Sequence, residues 1–352
     1  MAGSCQSLHS LKNKRYLHLE SIREDDFSDI VTCNSAMREQ LRYVQLIAPT
    51  QRPVLILGET GSGKELFAHA LHQAGNRTGP FVALNLAGLD DNMFSDTLFG
   101  HKKGTFSGAE SDREGLVSRA AGGTLFLDEI GDIEGAAQIR LLRLIQEREY
   151  YPLGCDTPVK CEARIVVATN RDLESAVIKG TFREDLYYRI AAHQVCIPPL
   201  RCRKDDIPLL LEAFIEVEAE SLGLAAPSYF PELVTLLCSY SFPGNVRELQ
   251  SMVSEAIARN GSRKLTQELF KEIIERQRQV VQVTRDGMPY RSSDTSDGIS
   301  FACFPTLKEA EKVIIDKSLE IAKSNQGVAA AMLGISRQAL NRRLQLMKGL
   351  RC

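Results

Sequence analysis

A short apolar run, Val54 to Leu57, leads directly into Gly58-Glu59-Thr60-Gly61-Ser62-Gly63-Lys64-Glu65 and then into the helical pattern ELFAHALHQA. Strand, glycine-rich turn, lysine and helix in that order make a P-loop. The glycines let the backbone fold around phosphates with its N–H groups pointing inward, the helix start adds its dipole, and Lys64 neutralises the β- and γ-phosphates. Glu65 stands where the general motif has Ser or Thr for Mg²⁺, so the metal must lean on other ligands. A second apolar run ends Thr124-Leu125-Phe126-Leu127-Asp128-Glu129, the form of a Walker B strand. Asp128 is the expected Mg²⁺ ligand, direct or through water, and Glu129 the expected general base for an attacking water. Two adjacent acids after a buried strand have no ready structural use, because an unpaired buried carboxylate is costly.

Further polar residues follow in the same stretch. The run Arg164 to Ala168 ends in Thr169 and Asn170, and a polar side chain there can orient the water or sense the γ-phosphate. Arg183 and Arg189 lie in FREDLYYR, and two readings stand side by side. An arginine inserted against a phosphoryl-transfer transition state is worth about 10³ to 10⁵ in rate; alternatively, the pair serves in ion pairs with Glu184 or Asp185. Arg247, early in a helix within PGNVREL, is placed to reach the γ-phosphate across a domain cleft.

These residues need a scaffold. The apolar runs at 54–57, 81–84, 124–127 and 164–168 alternate with amphipathic helical patterns, which implies an α/β fold with a parallel sheet buried on both faces. From about Lys204 to Ile257 the pattern is helical, with Pro208, Pro227, Pro231 and Pro243 marking helix starts and turns. Beyond Arg278 the periodicity fades into a Ser-, Asp-, Thr- and Gly-rich stretch that reads as a linker. The expected division is an extension at 1–26, an α/β core at 27–200, a helical subdomain at 201–278, a linker at 279–304 and a C-terminal domain at 305–352.

Length and composition agree with this plan. At 352 residues and 43% hydrophobic content the chain is long enough for two or three globular domains. No run of about 18 uncharged apolar residues is present, and the first 20 residues have no signal-peptide core, so a cytosolic protein is expected. Nine cysteines without a C-x-x-C pair argue against a disulfide framework or a zinc site. The net charge of −2 hides an uneven distribution. Residues 304–352 carry nine basic and four acidic side chains, a net of +5, which leaves −7 for the rest. No acidic residue follows Glu320. A basic end on an acidic body points to a nucleic-acid module.

That end has the matching pattern. Leu307 to Ala322 suits one amphipathic helix, and a small-residue helix, a turn holding Gly334 and a helix opening at Ser336 make a helix-turn-helix. Its second helix would enter the major groove of double-stranded DNA, with Ser336, Arg337, Gln338 and Asn341 near bases and Arg342 and Arg343 nearer phosphates.

Taken together, GETGSGKE, GGTLFLDEIGD, GTFREDLYYR and FPGNVREL, in that order over about Phe27 to Arg259, resemble the AAA+ ATPase domain of bacterial enhancer-binding proteins, the activators of sigma-54 RNA polymerase. The C-terminal module is similar to the Fis-type domain that ends many of them. The resemblance implies an ATPase using ATP and Mg²⁺, with an AAA+ core, a helical lid and a separate all-α DNA-binding domain. The family carries Glu after the P-loop lysine, so Glu65 is no departure. Asn85 matches a switch asparagine that engages Glu129, Arg183 and Arg189 match fingers acting on a neighbouring subunit's nucleotide, and Arg247 matches the sensor II arginine. Fingers acting in trans require a head-to-tail contact that closes, here a hexamer or heptamer. The family's sigma-contact loop reads GAFTGA; here Gly104-Thr105-Phe106-Ser107-Gly108-Ala109 carries Thr for Ala and Ser for Thr. Phe106 between two glycines is an exposed aromatic, sensible if a partner covers it.

The first expectation is therefore a DNA-bound activator whose ring hydrolyses ATP to remodel the closed sigma-54 polymerase complex. The second, prompted by the altered loop, is a regulator acting without sigma-54, its ATPase controlling oligomerisation. Some 26 residues ahead of the core are too few for a receiver, PAS or GAF domain, so control is expected from a separate protein, from expression level or through a lost upstream domain.

Overall fold

The computed structural model describes residues 27, 29–105, 109–261 and 263–286, together with helical positions 311, 315, 316, 318, 319, 326, 338 and 340. The chain divides into two compact units, Met1–Gln279 and Val280–Cys352.

The first unit holds a five-stranded sheet in the order β2-β5-β8-β1-β9, built from β1 (Val54–Leu57), β2 (Phe81–Asn85), β5 (Thr124–Asp128), β8 (Arg164–Thr169) and β9 (Gln194–Cys196). Every pairing is parallel, as the alternation of strands with helices requires. Alternate residues of the central strands serve opposite faces. Leu55, Leu125, Leu127, Ile165 and Val167 join one core with Phe94 and Leu98 of α3 (Asp91–Phe99), Leu141 and Leu144 of α5 (Gly135–Glu147) and Leu186 of α7 (Glu184–Ile190). Val54, Ile56, Phe126, Val166 and Ala168 join the other with Met37, Leu41 and Val44 of α1 (Ser35–Ile47) and Phe67 and Leu71 of α2 (Lys64–Ala74). Three strands are buried almost throughout, but β2 is not. It pairs only with β5, so as an edge strand it leaves Ala83 and Asn85 exposed, contrary to the buried run its apolar sequence suggests.

Helix α1 shows how the local sequence fixes an element. Asn34 caps its start by accepting from Ala36 N at 3.1 Å and Met37 N at 3.2 Å. Its last carbonyls are buried, and Arg164, fully buried at the start of β8, donates to Ala48 O at 2.6 Å and Ile47 O at 2.9 Å. No carboxylate pairs with this guanidinium among the described residues; burial lowers its pKa to about 10, and the negative end of the helix supplies the compensating acceptors. Arg164→Ala strands those carbonyls and opens a void, so the urea midpoint falls by an amount equivalent to about 2–4 kcal/mol.

Between the sheet strands lie two short hairpins: β3 (Gly100–His101) with β4 (Arg113–Glu114), after which α4 (Leu116–Arg119) follows, and β6 (Glu149–Tyr150) with β7 (Val159–Lys160). A short helix, α6 (Leu173–Ile178), follows β8. A helical lid completes the unit: α8 (Ile207–Ser221), α9 (Pro231–Ser239), α10 (Asn245–Asn260) and α11 (Gln267–Asp286), packed around Leu211, Leu233, Leu249, Val253 and Phe270.

Helix α11 corrects the expected linker onset. It runs to Asp286, eight residues past the expected lid end at 278. Phe270, Ile273 and Ile274 seat its first turns, and no Gly or Pro interrupts the sequence before Gly287, so nothing stops the helix earlier. In the second unit Ile315, Ser318 and Leu340 are helical and buried while Gln338 is helical and exposed. The spacing of Glu311, Ile315 and Ser318 is that of one helix face, within the range expected to form an amphipathic helix.

Candidate nucleotide site and partner surfaces

The P-loop sits at the C-terminal end of β1, where parallel α/β sheets bind ligands. Gly61 and Gly63 take φ of +74° and +102°, the left-handed region open to glycine. Lys64 opens α2 and is 7% exposed; its Nζ donates to Gly58 O at 3.2 Å and to Glu129 Oε1 at 3.4 Å. Glu129 itself has φ +55°, an unusual conformation for a residue with a side chain and one that clusters at functional sites. Its other oxygen accepts from Asn170 N at 3.3 Å, while Asn170 Nδ2 donates to Thr60 Oγ1 at 2.8 Å. Three strand ends thus bring Thr60, Lys64, Glu129 and Asn170 into one hydrogen-bonded group.

Asp128 lies beside them. Burial pushes its carboxyl above the usual range, against the opposing pull of Lys64, and one oxygen accepts from Glu129 N at 2.9 Å. Among the described residues no three His, Cys, Asp or Glu side chains converge, so the protein alone builds no metal cage. One half-buried carboxylate, together with the unpartnered buried hydroxyl of Ser62, fits Mg²⁺ held largely by phosphate oxygens and water. Glu65 is exposed on the first turn of α2. Asn85 is on the edge strand, exposed, with Oδ1 accepting from Ala87 N at 2.8 Å; it shares no hydrogen bond with Glu129 in this structure.

The lid touches the P-loop directly. Val246 N and Arg247 N donate to Gly61 O at 3.0 and 3.3 Å, so the loop carbonyl caps the start of α10. A Cβ at Gly61 would come within 2.3 Å of Gly244 O, a second reason for glycine there. Buried Asn245, with φ +53°, donates to Glu59 Oε2 and Thr60 O, both at 3.1 Å, and accepts from Leu200 N at 2.8 Å. Arg201 grips Glu59 with two bonds of 2.7 and 2.6 Å, holding that carboxyl below its usual range. Buried Arg203 donates to Ser62 O at 2.9 Å, and Asp206 accepts from Thr32 Oγ1, Cys33 N and Asn34 N. Sequence reasoning expected Arg247 to reach the γ-phosphate; in the structure its backbone N–H bonds the P-loop at Gly61 O and its side chain is exposed. Sequence reasoning missed Asn245, Arg201, Arg203 and Asp206. The only available signal was the neighbourhood: Asn245 stands two residues before Arg247, and LRCRKDD concentrates charge just ahead of α8.

Of the two arginines in FREDLYYR, Arg183 makes an ion pair of the kind its acidic neighbours suggest, donating to both oxygens of Asp185 at 3.0 and 2.7 Å. Arg189 is exposed on the last turn of α7, and no ion pair to it occurs among the described residues. The backbone at Arg183 is fixed by buried Gln138, whose Oε1 accepts from Arg183 N at 2.8 Å while Nε2 donates to Ile133 O and Thr181 O at 2.9 Å. Gln138→Leu removes the partner of three backbone groups, one buried and two part-buried. We expect it to lower the rate of nucleotide hydrolysis more than nucleotide affinity; equal losses in a titration and a turnover assay would count against this.

Gly104 and Ala109 close the base of the predicted sigma-contact loop through Gly104 N to Ala109 O at 2.9 Å, with Gly104 at φ +84° and Thr105 turned inward. Phe106, Ser107 and Gly108 lie outside the described residues, as do Ser336, Arg337, Asn341, Arg342 and Arg343; Gln338 is helical and exposed.

A parallel sheet with a P-loop at β1, an Asp-Glu pair at β5, a polar end to β8 and a helical lid folded against the loop define an AAA+ ATPase. Comparison narrows the class. Residues 30–196 match the Sigma-54 interaction domain, 201–286 the AAA+ ATPase lid domain, and 306–346 the bacterial regulatory protein, Fis family. The chain is 41% identical to the transcriptional regulatory protein ZraR of Klebsiella oxytoca over 306 residues, covering 87% of this chain and 66% of that protein. It is 37% identical to the DNA-binding transcriptional regulator NtrC of Rhizobium meliloti, covering 92% and 71%. Among solved structures, NtrX from Brucella abortus in complex with ATP superposes with a TM-score of 0.63 at 27% identity, covering 96% of this chain and 72% of that one. The chain belongs to the family of sigma-54-dependent enhancer-binding transcriptional regulators. It spans about two thirds of the length of these relatives.

Proposed function

We propose that the protein is a DNA-bound transcriptional activator that hydrolyses ATP and uses the energy to remodel a closed sigma-54 RNA polymerase complex. The observation that carries the reading is the group formed by Lys64, Glu129, Asn170 and Thr60 beside Asp128, next to a lid that contacts the P-loop. Backbone N–H groups of 58–64 and the start of α2 bind the phosphates, and Lys64 turns from Glu129 to their charge. Asp128 would hold Mg²⁺, which would neutralise charge on the phosphates. Glu129, released from Lys64, accepts the proton of the attacking water, and Asn170 orients that water. Asn85, close to the Walker B end in the β2–β5 register, is a switch partner for Glu129.

In this reading Arg183 and Arg189 act on the nucleotide of the next subunit in a hexameric or heptameric ring, and Arg247 senses the γ-phosphate from the lid. The loop at Gly104, Thr105, Phe106, Ser107, Gly108 and Ala109 contacts the sigma factor. Ser336, Arg337, Gln338 and Asn341 read bases of an upstream double-stranded DNA site, with Arg342 and Arg343 on phosphates. Residues 305–352 act as that DNA-binding domain, 27–200 and 201–286 as motor core and lid. No helix among the described residues is long and apolar enough to cross a membrane.

In-vitro transcription tests the whole. Purified protein, ATP and sigma-54 polymerase on a promoter with an upstream site should yield open complexes. Site binding and ATP turnover without promoter opening would refute sigma-54 activation and leave a regulator that uses its ATPase for assembly.

A further inference from the structure

The two short hairpins beside the sheet are far apart in sequence and joined in space. Leu153, in the turn between β6 and β7, donates its N–H to Gly100 O at 2.9 Å and accepts from Lys102 N at 3.0 Å. These bonds tie the start of the 102–112 excursion to the second hairpin. Thr105 supplies a further tie at the loop's base. Its hydroxyl lies 2.6 Å from Lys102 O, a local contact, and 3.1 Å from Leu153 O, which is 48 residues away. Both carbonyls converge on the one hydroxyl proton, so that oxygen bridges the two excursions.

The opposite wall is shaped to receive it. Gly154 has φ +76°, and a Cβ there would fall 2.2 Å from Thr105 Oγ1 and 3.1 Å from its Cβ and Cγ2. The branched side chain therefore occupies the space that only glycine leaves free. On the near side Lys103 N donates to Asp112 Oδ1 at 2.8 Å and Lys102 Nζ to Asp112 Oδ2 at 2.7 Å, which holds the flank in register. Thr105 is also one of the two positions at which the loop departs from GAFTGA, where the smaller Ala has no hydroxyl to bridge with.

We propose that Thr105 is a positioning residue that fastens the base of the 104–109 loop to the β6–β7 turn, with Gly154 as its socket, so that the loop's base and the second hairpin move as one body. The loop's presentation to sigma-54 is then set from residues 153–154. This functional part rests on the reading that the loop contacts sigma-54.

The test uses the full chain with ATP and with a transition-state analogue of ATP. Hydrogen exchange of the segments containing Lys102 and Leu153 should speed up about three- to tenfold in Thr105→Ala, the range expected for one net hydrogen bond, and stay close to wild type in Thr105→Ser. Gly154→Ala should leave ATP turnover unchanged, speed the same exchange, and weaken analogue-dependent capture of purified sigma-54 about three- to tenfold. In the Thr105→Ala background the clashes with Oγ1 and Cγ2 are gone and only the 3.1 Å approach to Cβ and the backbone strain remain, so the two changes together should cost less than the sum of each alone. Unchanged exchange in Thr105→Ala, or strictly additive effects, overturns the clamp. Sigma-54 capture in Thr105→Ala equal to or above wild type overturns its positioning role. Failure of the wild-type protein to capture sigma-54 overturns the sigma-54 reading instead, while the exchange data still decide the clamp.

Discussion

Glu129→Gln should bind ATP with near-normal affinity and hydrolyse it at least about a hundredfold more slowly, the range over which a positioned general base acts. The amide keeps the size of the carboxylate and can still meet Asn170 N, but it cannot accept a proton from water. It also loses the ion pair with Lys64, which in wild type holds the lysine toward Glu129 at 3.4 Å. Affinity should therefore stay level or rise slightly, because Lys64 no longer leaves a carboxylate to reach phosphate. Filter binding with labelled ATP and a phosphate-release assay separate the two effects. Turnover near wild type would remove Glu129 from the base role. Loss of binding would mean that its strained backbone, φ +55°, supports the P-loop rather than the chemistry.

Arg189→Ala should lower turnover about 10³-fold or more while leaving nucleotide binding intact, the lower end of the range for an inserted arginine. Arg189 has no ion pair to break among the described residues, whereas Arg183 must first leave Asp185. The expected loss is accordingly larger and cleaner at 189. Because the side chain is exposed, its removal should not alter the urea midpoint by more than about 0.5 kcal/mol. Action in trans has its own signature. Mixing Arg189→Ala with Lys64→Ala, each inactive alone, should restore part of the activity, since some neighbouring pairs then combine an intact P-loop with an intact finger. No recovery on mixing would place the arginine in its own subunit's site or outside the chemistry.

The candidate nucleotide site was legible because each of its motifs is contiguous in sequence, although the motifs lie 65 and 110 residues apart, and each has a distinct physical cost outside its role. A left-handed glycine pair, a lysine at a helix start and twin carboxylates after a buried strand would each destabilise a fold that bound no phosphate. Arrangements that depend on distant backbone were not legible. Asn245 meets Glu59 across 186 positions, and Arg203 meets Ser62 across 141. Residue type alone gives no sign that this asparagine is buried, left-handed and bonded to the P-loop. Strand burial was misread at β2 for the opposite reason: its apolar residues suit either a central or an edge strand, and only the sheet order decides. The linker was set too early because a Gln- and Arg-rich stretch weakens apolar periodicity without weakening helix propensity.

The carbonyl of Gly61 points into the start of α10, so the P-loop and the lid share one hydrogen-bonded junction. Such a junction makes their opening a single cooperative event. Ordering the loop from the phosphate side also orders the lid side, and the amides of Asn245–Asn260 should gain hydrogen-exchange protection from the nucleotide even at positions beyond Arg247 whose side chains never reach it.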